Sequence, residues 1–447
     1  MTTTEKPLYL QGHLAPVPDE IEAFDLPVEG LLPPELTGRY LRNGPNPLPG
    51  QDPGHWFAGH GMLHGVRLRE GRAEWYRNRW VRTAALEGKP FLTPDGRFDR
   101  TAVHANTHIV EHAGRLLALV ENGFPYEVDR ELGTLGPRDF DGRLTTAMTA
   151  HPKTDPVTGD LHCFGYGALP PFLTYHRVSA AGELVTSAEI AVPGPTMMHD
   201  FAVTDRHAIF LDLPMTFSPR PGLPYGWDDS YGARLGIMPL DRPGEVRWVE
   251  VDPCYVFHVG NAWSVDGDTV TLDVARYSPA DIRSIWDSIG PHPAAEASAA
   301  GVARLHRWTV TGAGTVVETP LSDFDLEFPT LDDRLVGRPN RVLYAVSDDR
   351  GILKYTDGSE RVHDLGPDVV AGEAVFVPAA DATGEDEGWL LSITTTRDGR
   401  ASELLVLDAT DLSTTARVTL PRGVPAGFHG SWNADAAGDE STGEGRP

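Results

Sequence analysis

Four of the 17 histidines in this chain stand where they could share one ion. They are His151 in Thr149-Ala-His-Pro-Lys153, His199 in Met198-His-Asp-Phe201, His258 in Phe257-His-Val-Gly-Asn-Ala262 and His429 in Gly427-Phe-His-Gly430. The first three precede strand–turn–strand patterns, and the fourth closes the patterned part of the chain. Their separations are 48, 59 and 171 residues. A four-stranded propeller blade takes about 50–60 residues, so the last interval is about three blades. On that spacing each histidine occupies a different innermost strand and points at a common axis. Four neutral imidazoles meeting at one point favour a borderline divalent metal. Zinc, usually four-coordinate, would be saturated by them. Iron(II), with six positions, would keep two open for O2 and for substrate or water. On spacing alone a plainer alternative stays open, that these are ordinary histidines at strand ends, histidine being a moderately buried residue type.

The elements that must position them read as strands. From Asn106 onward, runs of mostly apolar residues are separated by turns at His112–Gly114, Asp155–Thr158, Ala180–Gly182, Asp205–Arg206, Asp266–Asp268, Thr311–Gly314, Asp348–Gly351, Asp381–Gly388 and Asp411–Thr414. Each turn carries Asp, Asn, Gly or Thr, the chemistry of hairpin connections. Many short strands with little helix indicate a sandwich, barrel or propeller. Upstream, a strand from Gly38 runs into the breaker cluster Asn43-Gly-Pro-Asn-Pro47, and His55–Leu68 pairs with Ala73–Thr83 across Arg69–Arg72. One helix is expected from Ser278: Ser caps, Pro279 takes the first turn, Asp281 faces the positive end of the dipole, and Ile282, Ile285 and Trp286 share a face. A second is expected within Pro293 to Val302, both as insertions covering one end of the β scaffold.

Length permits either two or three domains or one large repeat architecture. The net charge of −26 argues against nucleic-acid binding and against long-range attraction to anionic lipid. Two cysteines, Cys163 and Cys254, make neither a disulfide framework nor a thiolate metal site, which suits a reducing compartment. The first residues lack the apolar core of a secretory signal, and no run approaches the roughly 18 apolar residues of a spanning helix. The expectation is a soluble, cytoplasmic protein.

The histidine motifs, together with Leu41-Arg-Asn-Gly-Pro-Asn-Pro47, Trp56-Phe-Ala-Gly-His-Gly-Met-Leu-His-Gly65 and Asn78-Arg-Trp-Val-Arg-Thr83, resemble the carotenoid cleavage oxygenases from about Gly38 to Trp432. That family includes members cleaving apocarotenoids, stilbenes and phenylpropenes. The resemblance implies an all-β fold, a seven-bladed β-propeller with a small helical dome over one face. Residues 1–26, polar and Pro-punctuated, read as an irregular segment, 27–432 as a single catalytic propeller with helical insertions, and the small, acidic stretch 433–447 as a disordered tail. The resemblance also implies a non-haem Fe(II) held by four histidines alone, falling here on His151, His199, His258 and His429. Three glutamates behind the ligands match Glu121 (Leu119-Val-Glu-Asn-Gly123), Glu327 (Leu326-Glu-Phe-Pro329) and Glu373 (Gly372-Glu-Ala-Val-Phe376). A carboxylate accepting the free ring N–H fixes the tautomer and raises ligand basicity. It also offsets the ion's charge in an apolar pocket.

The chain departs from the family at Ala58 and His60, where many relatives carry Asp. Lignostilbene-cleaving members usually place a lysine just before the first of these glutamates to engage a phenolic oxygen, and Val120 cannot do so. The expected activity is therefore cleavage of a conjugated C=C bond of a carotenoid or apocarotenoid by O2, giving two carbonyl products. No flavin or reductant is implied. An apolar tunnel opening onto a membrane, and hence peripheral membrane contact, follows from the solubility of such a polyene. The alternative substrate is a stilbene or phenylpropenoid at the same iron, and the alternative class is a non-enzymatic propeller used as a binding platform. His55, His60 and His64 resemble a second cluster, but strand alternation is expected to scatter them.

Overall fold

The computed structural model describes residues 6–219, 223–290 and 302–435. Antiparallel sheets follow one another round an axis and form the seven blades of a β-propeller. Blades two to six each begin at the axis and step outwards in chain order. Their first strands are His108–His112, Lys153–Thr154, Phe201–Val203, Tyr255–Ser264 and Glu327–Thr330. In blade seven, Val369–Ala371 and Val375–Pro378 share the inner position against Gly388–Thr396. Blade one is closed from both ends of the chain: Gly430–Ala434 pairs with Gly38–Pro45, bringing together residues nearly the whole sequence apart. Inner strands of successive blades touch, as Phe201–Val203 touches Tyr255–Ser264 and Gly430–Ala434 touches His108–His112.

The burial pattern follows from stacking blade on blade. Middle strands such as Leu161–Tyr166, His207–Asp212 and Val342–Ser347 are buried at every position, because both of their faces pack against neighbouring sheets. That is why they read as near-continuous apolar runs. Rim strands are open to solvent: none of Thr134–Pro137 or Ser359–Asp364 is buried, and the latter carries mostly polar side chains. The nine expected hairpin turns all fall between paired strands.

One helix, α1 (Pro279–Ser288), lies among the described residues. Ser278 Oγ accepts the Asp281 N–H at 3.2 Å, and Ile282 and Trp286 are buried. Of the second expected helix, residues 293–301 lie outside the described residues. Beside α1, the ribbon Met215–Phe217/Tyr225–Trp227 and the 3-10 turn Trp56–Ala58 complete the cover. The Trp286 indole N–H donates to the Tyr225 carbonyl at 3.2 Å, and its ring packs on His55 and Phe57. No helix among the described residues is long and apolar enough to cross a membrane.

Three local expectations are corrected. The strand expected from His55 begins only at Gly61. His55 Nδ1 accepts the Phe57 N–H at 3.1 Å and caps the turn instead, while a Cβ on Gly59 would meet Pro45 at 2.9 Å. Within the segment 1–26, Glu22–Phe24 adds an edge strand to blade one, steered by the Asn78 side chain, which bonds both Ile21 N–H and the Asp19 carbonyl at 2.8 Å. At the other end, Asn433 and Ala434 belong to the closing strand, and Asp435 pairs with Arg39 and Arg67. Residues 436–447, the rest of the expected tail, lie outside the described residues.

Candidate metal centre

Every blade delivers one residue to the axis. His151 and His199 each lie two residues before the inner strands of blades three and four, and His429 directly precedes that of blade one. His258 lies within the inner strand of blade five. There the pairing register slips between Val256 and Val259, a bulge that takes His258 out of the ladder and aims it at the axis. The blade order five, six, seven, one accounts for the long interval before His429. Glu327 opens the inner strand of blade six, and Glu373 sits between the two inner segments of blade seven. Glu121 follows the second strand of blade two rather than its innermost one.

The four imidazoles are buried, and one ring nitrogen from each lies within 4.8 Å of all the others. Nε2 of His151 is 2.9 Å from that of His429, His258 is 3.1 Å from His429, and His199 is 3.3 Å from His258. Behind them, Glu121 contacts His199 Nδ1, Glu327 Oε2 accepts from His258 Nδ1 at 2.5 Å, and Glu373 Oε1 accepts from His429 Nδ1 at 3.0 Å. Each carboxylate is itself held. The Tyr166 hydroxyl donates to Glu121, the Phe328 N–H to Glu327 at 2.8 Å and the Gly430 N–H to Glu373 at 2.7 Å. His151 differs: its Nδ1 has no hydrogen-bond partner, and its backbone N–H donates to Thr149 Oγ1 at 3.1 Å.

This pattern fits a cation. A carboxylate on Nδ1 requires the proton there and leaves Nε2 with a bare lone pair. His258 and His429 thus face each other through two lone pairs 3.1 Å apart, an arrangement that repels unless positive charge lies between them. Electrostatics favour the neutral ring at three of the four histidines. Burial, then the neighbouring rings, hold His151, His258 and His429 well below the ordinary imidazole range. Burial moves His199 down, but the Glu121 charge and contact, joined by the Asp200 and Glu327 charges, outweigh it, so its net shift is upward. Burial pushes Glu327 and Glu373 each to about 7.

Aromatic rings wall the cover side. Phe57 packs edge-on against Phe257 and Phe428, the residues preceding two of the histidines, with ring centres 6.1 and 5.3 Å away. Phe328 stacks on His258 at 4.8 Å from a left-handed backbone (φ 52°), a conformation that bulky residues rarely adopt. Val120 is buried in an apolar cluster with Ile109 and Ala118.

All seven residues singled out from the sequence therefore meet at one axis. Sequence reasoning missed Tyr166, Phe57 and Phe328, whose roles depend on contacts across blades; only the aromatic following Glu327 gave any local signal. The three other tempting histidines are dispersed. His64 bonds the Tyr76 hydroxyl at 2.9 Å, His60 faces His104 at 3.4 Å, and His55 caps its turn.

A family described as Retinal pigment epithelial membrane protein matches residues 14–434. A carotenoid cleavage oxygenase of Mycobacterium tuberculosis is 40% identical, over 95% of this chain and 97% of its own length. Among solved structures, a variant of the Synechocystis apocarotenoid oxygenase superposes with a TM-score of 0.83 at 27% identity, covering 94% of this chain and 97% of that one. The Pseudomonas brassicacearum lignostilbene dioxygenase does so with 0.83 at 28% identity, covering 97% and 100%. With the match running through every blade that feeds the axis, the chain belongs to the carotenoid oxygenase family and is an oxygenase.

Proposed function

We propose that the protein is a non-haem iron(II) dioxygenase that splits a conjugated C=C bond of a carotenoid or apocarotenoid. The bond and one O2 become two carbonyl groups, so the atoms balance without a reductant. The observation that carries this reading is the convergence of four histidines, three of them fixed by carboxylates as bare Nε2 donors. The ion would be held by His151, His199, His258 and His429, with Glu121, Glu327 and Glu373 orienting three of the rings.

The donor set supports iron: four neutral imidazoles suit a borderline divalent metal, and six-coordinate iron(II) held by them would keep positions open for O2, where a four-coordinate zinc would be saturated. When bound, the ion supplies the O2 activation for which no side chain is suited.

The protein's own residues bind, orient and exclude. Phe57, Phe257, Phe428 and Phe328 offer ring faces and edges to a flat polyene and keep water from the reacting carbons. Val120 supports a hydrocarbon rather than a phenolate, because a buried aliphatic side chain cannot compensate a charged oxygen. The same TM-score of 0.83 to a lignostilbene dioxygenase favours keeping a stilbene as the second reading. Iron-loaded protein incubated separately with an apocarotenal and a hydroxystilbene decides between them. Aldehyde products from the apocarotenal are expected; turnover of the stilbene alone would sink the first choice.

A further inference from the structure

The residue after His199 has a role that the family's ligand set does not describe. Asp200 is 3% exposed, and both of its oxygens are engaged. Oδ1 accepts the Phe201 N–H at 2.7 Å and the Lys153 ammonium at 2.8 Å, while Oδ2 accepts the Val259 N–H at 2.8 Å. Each partner lies close to a ligand. Asp200 directly follows His199, Val259 directly follows His258, and Lys153 stands two residues beyond His151. One carboxylate therefore ties together the inner strands of blades three, four and five.

We propose that Asp200 is a positioning residue that sets the mutual spacing of His151, His199 and His258. The inference rests on the reading of these histidines as metal ligands. Its physical basis is the bulge in blade five. By slipping out of register on either side of Val259, that strand turns His258 inwards, and Val259, though still opposite Val274, directs its N–H to a partner outside its own sheet. Asp200 supplies it from the neighbouring blade, so the bulge, and with it His258, is anchored relative to His199. Lys153 extends the clasp to blade three, where His151 has no carboxylate behind its ring. His429 needs no such tie: Glu373 holds both its Nδ1 and the Gly430 N–H, and Asn43 pairs with its flanks through the backbone.

Only a carboxylate can do this. An asparagine has one acceptor oxygen, so its NH2 group would face either the Lys153 ammonium or the Val259 N–H, donor against donor. Asp200→Asn is thus nearly isosteric but breaks one arm of the clasp. Lys153→Met removes the arm to His151 and leaves the Val259 bond intact.

The test is Co(II) binding to the full-length, metal-free protein, followed by its visible absorption spectrum and by competition with a chelator. Thermal unfolding of the metal-free forms is recorded in parallel. Asp200→Asn is expected to weaken Co(II) retention by about 10–100-fold, the range found when groups orienting metal ligands are removed, and to alter the spectrum. Lys153→Met should give a smaller loss, and the double variant should lose less than the two single losses combined, since both residues act through one carboxylate. A lower unfolding temperature with wild-type Co(II) affinity and spectrum would overturn the proposal, because a merely structural residue behaves that way. Should Asp200→Asn fail to fold, the Lys153→Met spectrum decides: a change supports the clasp and none refutes it. Wild-type protein that binds no Co(II) would instead bring down the metal reading itself, and the clasp with it.

Discussion

The axis of the propeller and the cover above it are built by opposite means. At the axis, buried polar groups are joined by directed bonds: Glu327 to His258, Glu373 to His429 and to the Gly430 N–H, Asp200 to three partners. In the cover, Phe57 and Trp286 meet through edge-on rings, and Trp286 is fastened by one indole hydrogen bond. Ring packing is worth about 0.5–1.5 kcal/mol per pair beyond area and tolerates sliding. A buried charged or polar group deprived of its partner costs more and tolerates little. The axis is thus held by directed bonds and the cover by packing, although Phe57 touches the cover and the ligand-flanking Phe257 and Phe428 alike.

The strongest way to break that contrast is at the axis. His258→Ala is expected to lose the metal altogether, seen as absent iron in protein purified without chelator. Its unfolding temperature should then be indifferent to added chelator, whereas that of the wild type falls, since a ligand bound only to the folded state stabilises it. Iron retained by the variant would dissolve the axis as a metal centre.

Next in size is the cover. Trp286 is 7% exposed, so Trp286→Ala should cost about 3–5 kcal/mol of packing. If the two regions are separable, iron content stays at the wild-type level while KM for the polyene rises. Iron lost together with the cover would show that the regions are one unit.

Within the axis, Glu327→Gln sharpens the picture. The amide can present its NH2 to His258 Nδ1 and drive the proton to Nε2, so metal affinity should drop about 10–100-fold. His151 lacks such a carboxylate, so its ring orientation must come from elsewhere. The smallest effect is expected at Ser278→Ala. Loss of the 3.2 Å cap on α1 should lower stability by about 1 kcal/mol, read from thermal unfolding, and leave iron and turnover untouched.

What could be read from the chain before folding follows the same division. The ligand spacing was legible because each histidine precedes or opens its own blade, and His258 to His429 crosses three blades whose unequal lengths average out. The hairpin turns were legible from local chemistry. The run at Trp56–Ala58 misled because three apolar residues look alike in a strand and in an aromatic plug; only the His55 cap and the contact of Gly59 with Pro45 distinguish them. Glu22–Phe24 carries no apolar pattern, since its pairing is supplied by an open edge and by the Asn78 side chain. Glu121, Glu327 and Glu373 stood out only through resemblance. The Asp200 clasp joins positions 47 and 59 residues away, a distance at which no local pattern operates.

The closure of blade one has a consequence for how the protein is made. A chain leaving the ribosome presents His151, His199 and His258 while the ring is still open, and the fourth imidazole arrives beside the strand that shuts it. Three of the donors could meet an ion early, but the complete set exists only once Gly430–Ala434 has docked against Gly38–Pro45. The four-histidine set is therefore complete only in a chain whose ring has closed: one truncated before His429 would carry most of the aromatic wall and none of the finished centre.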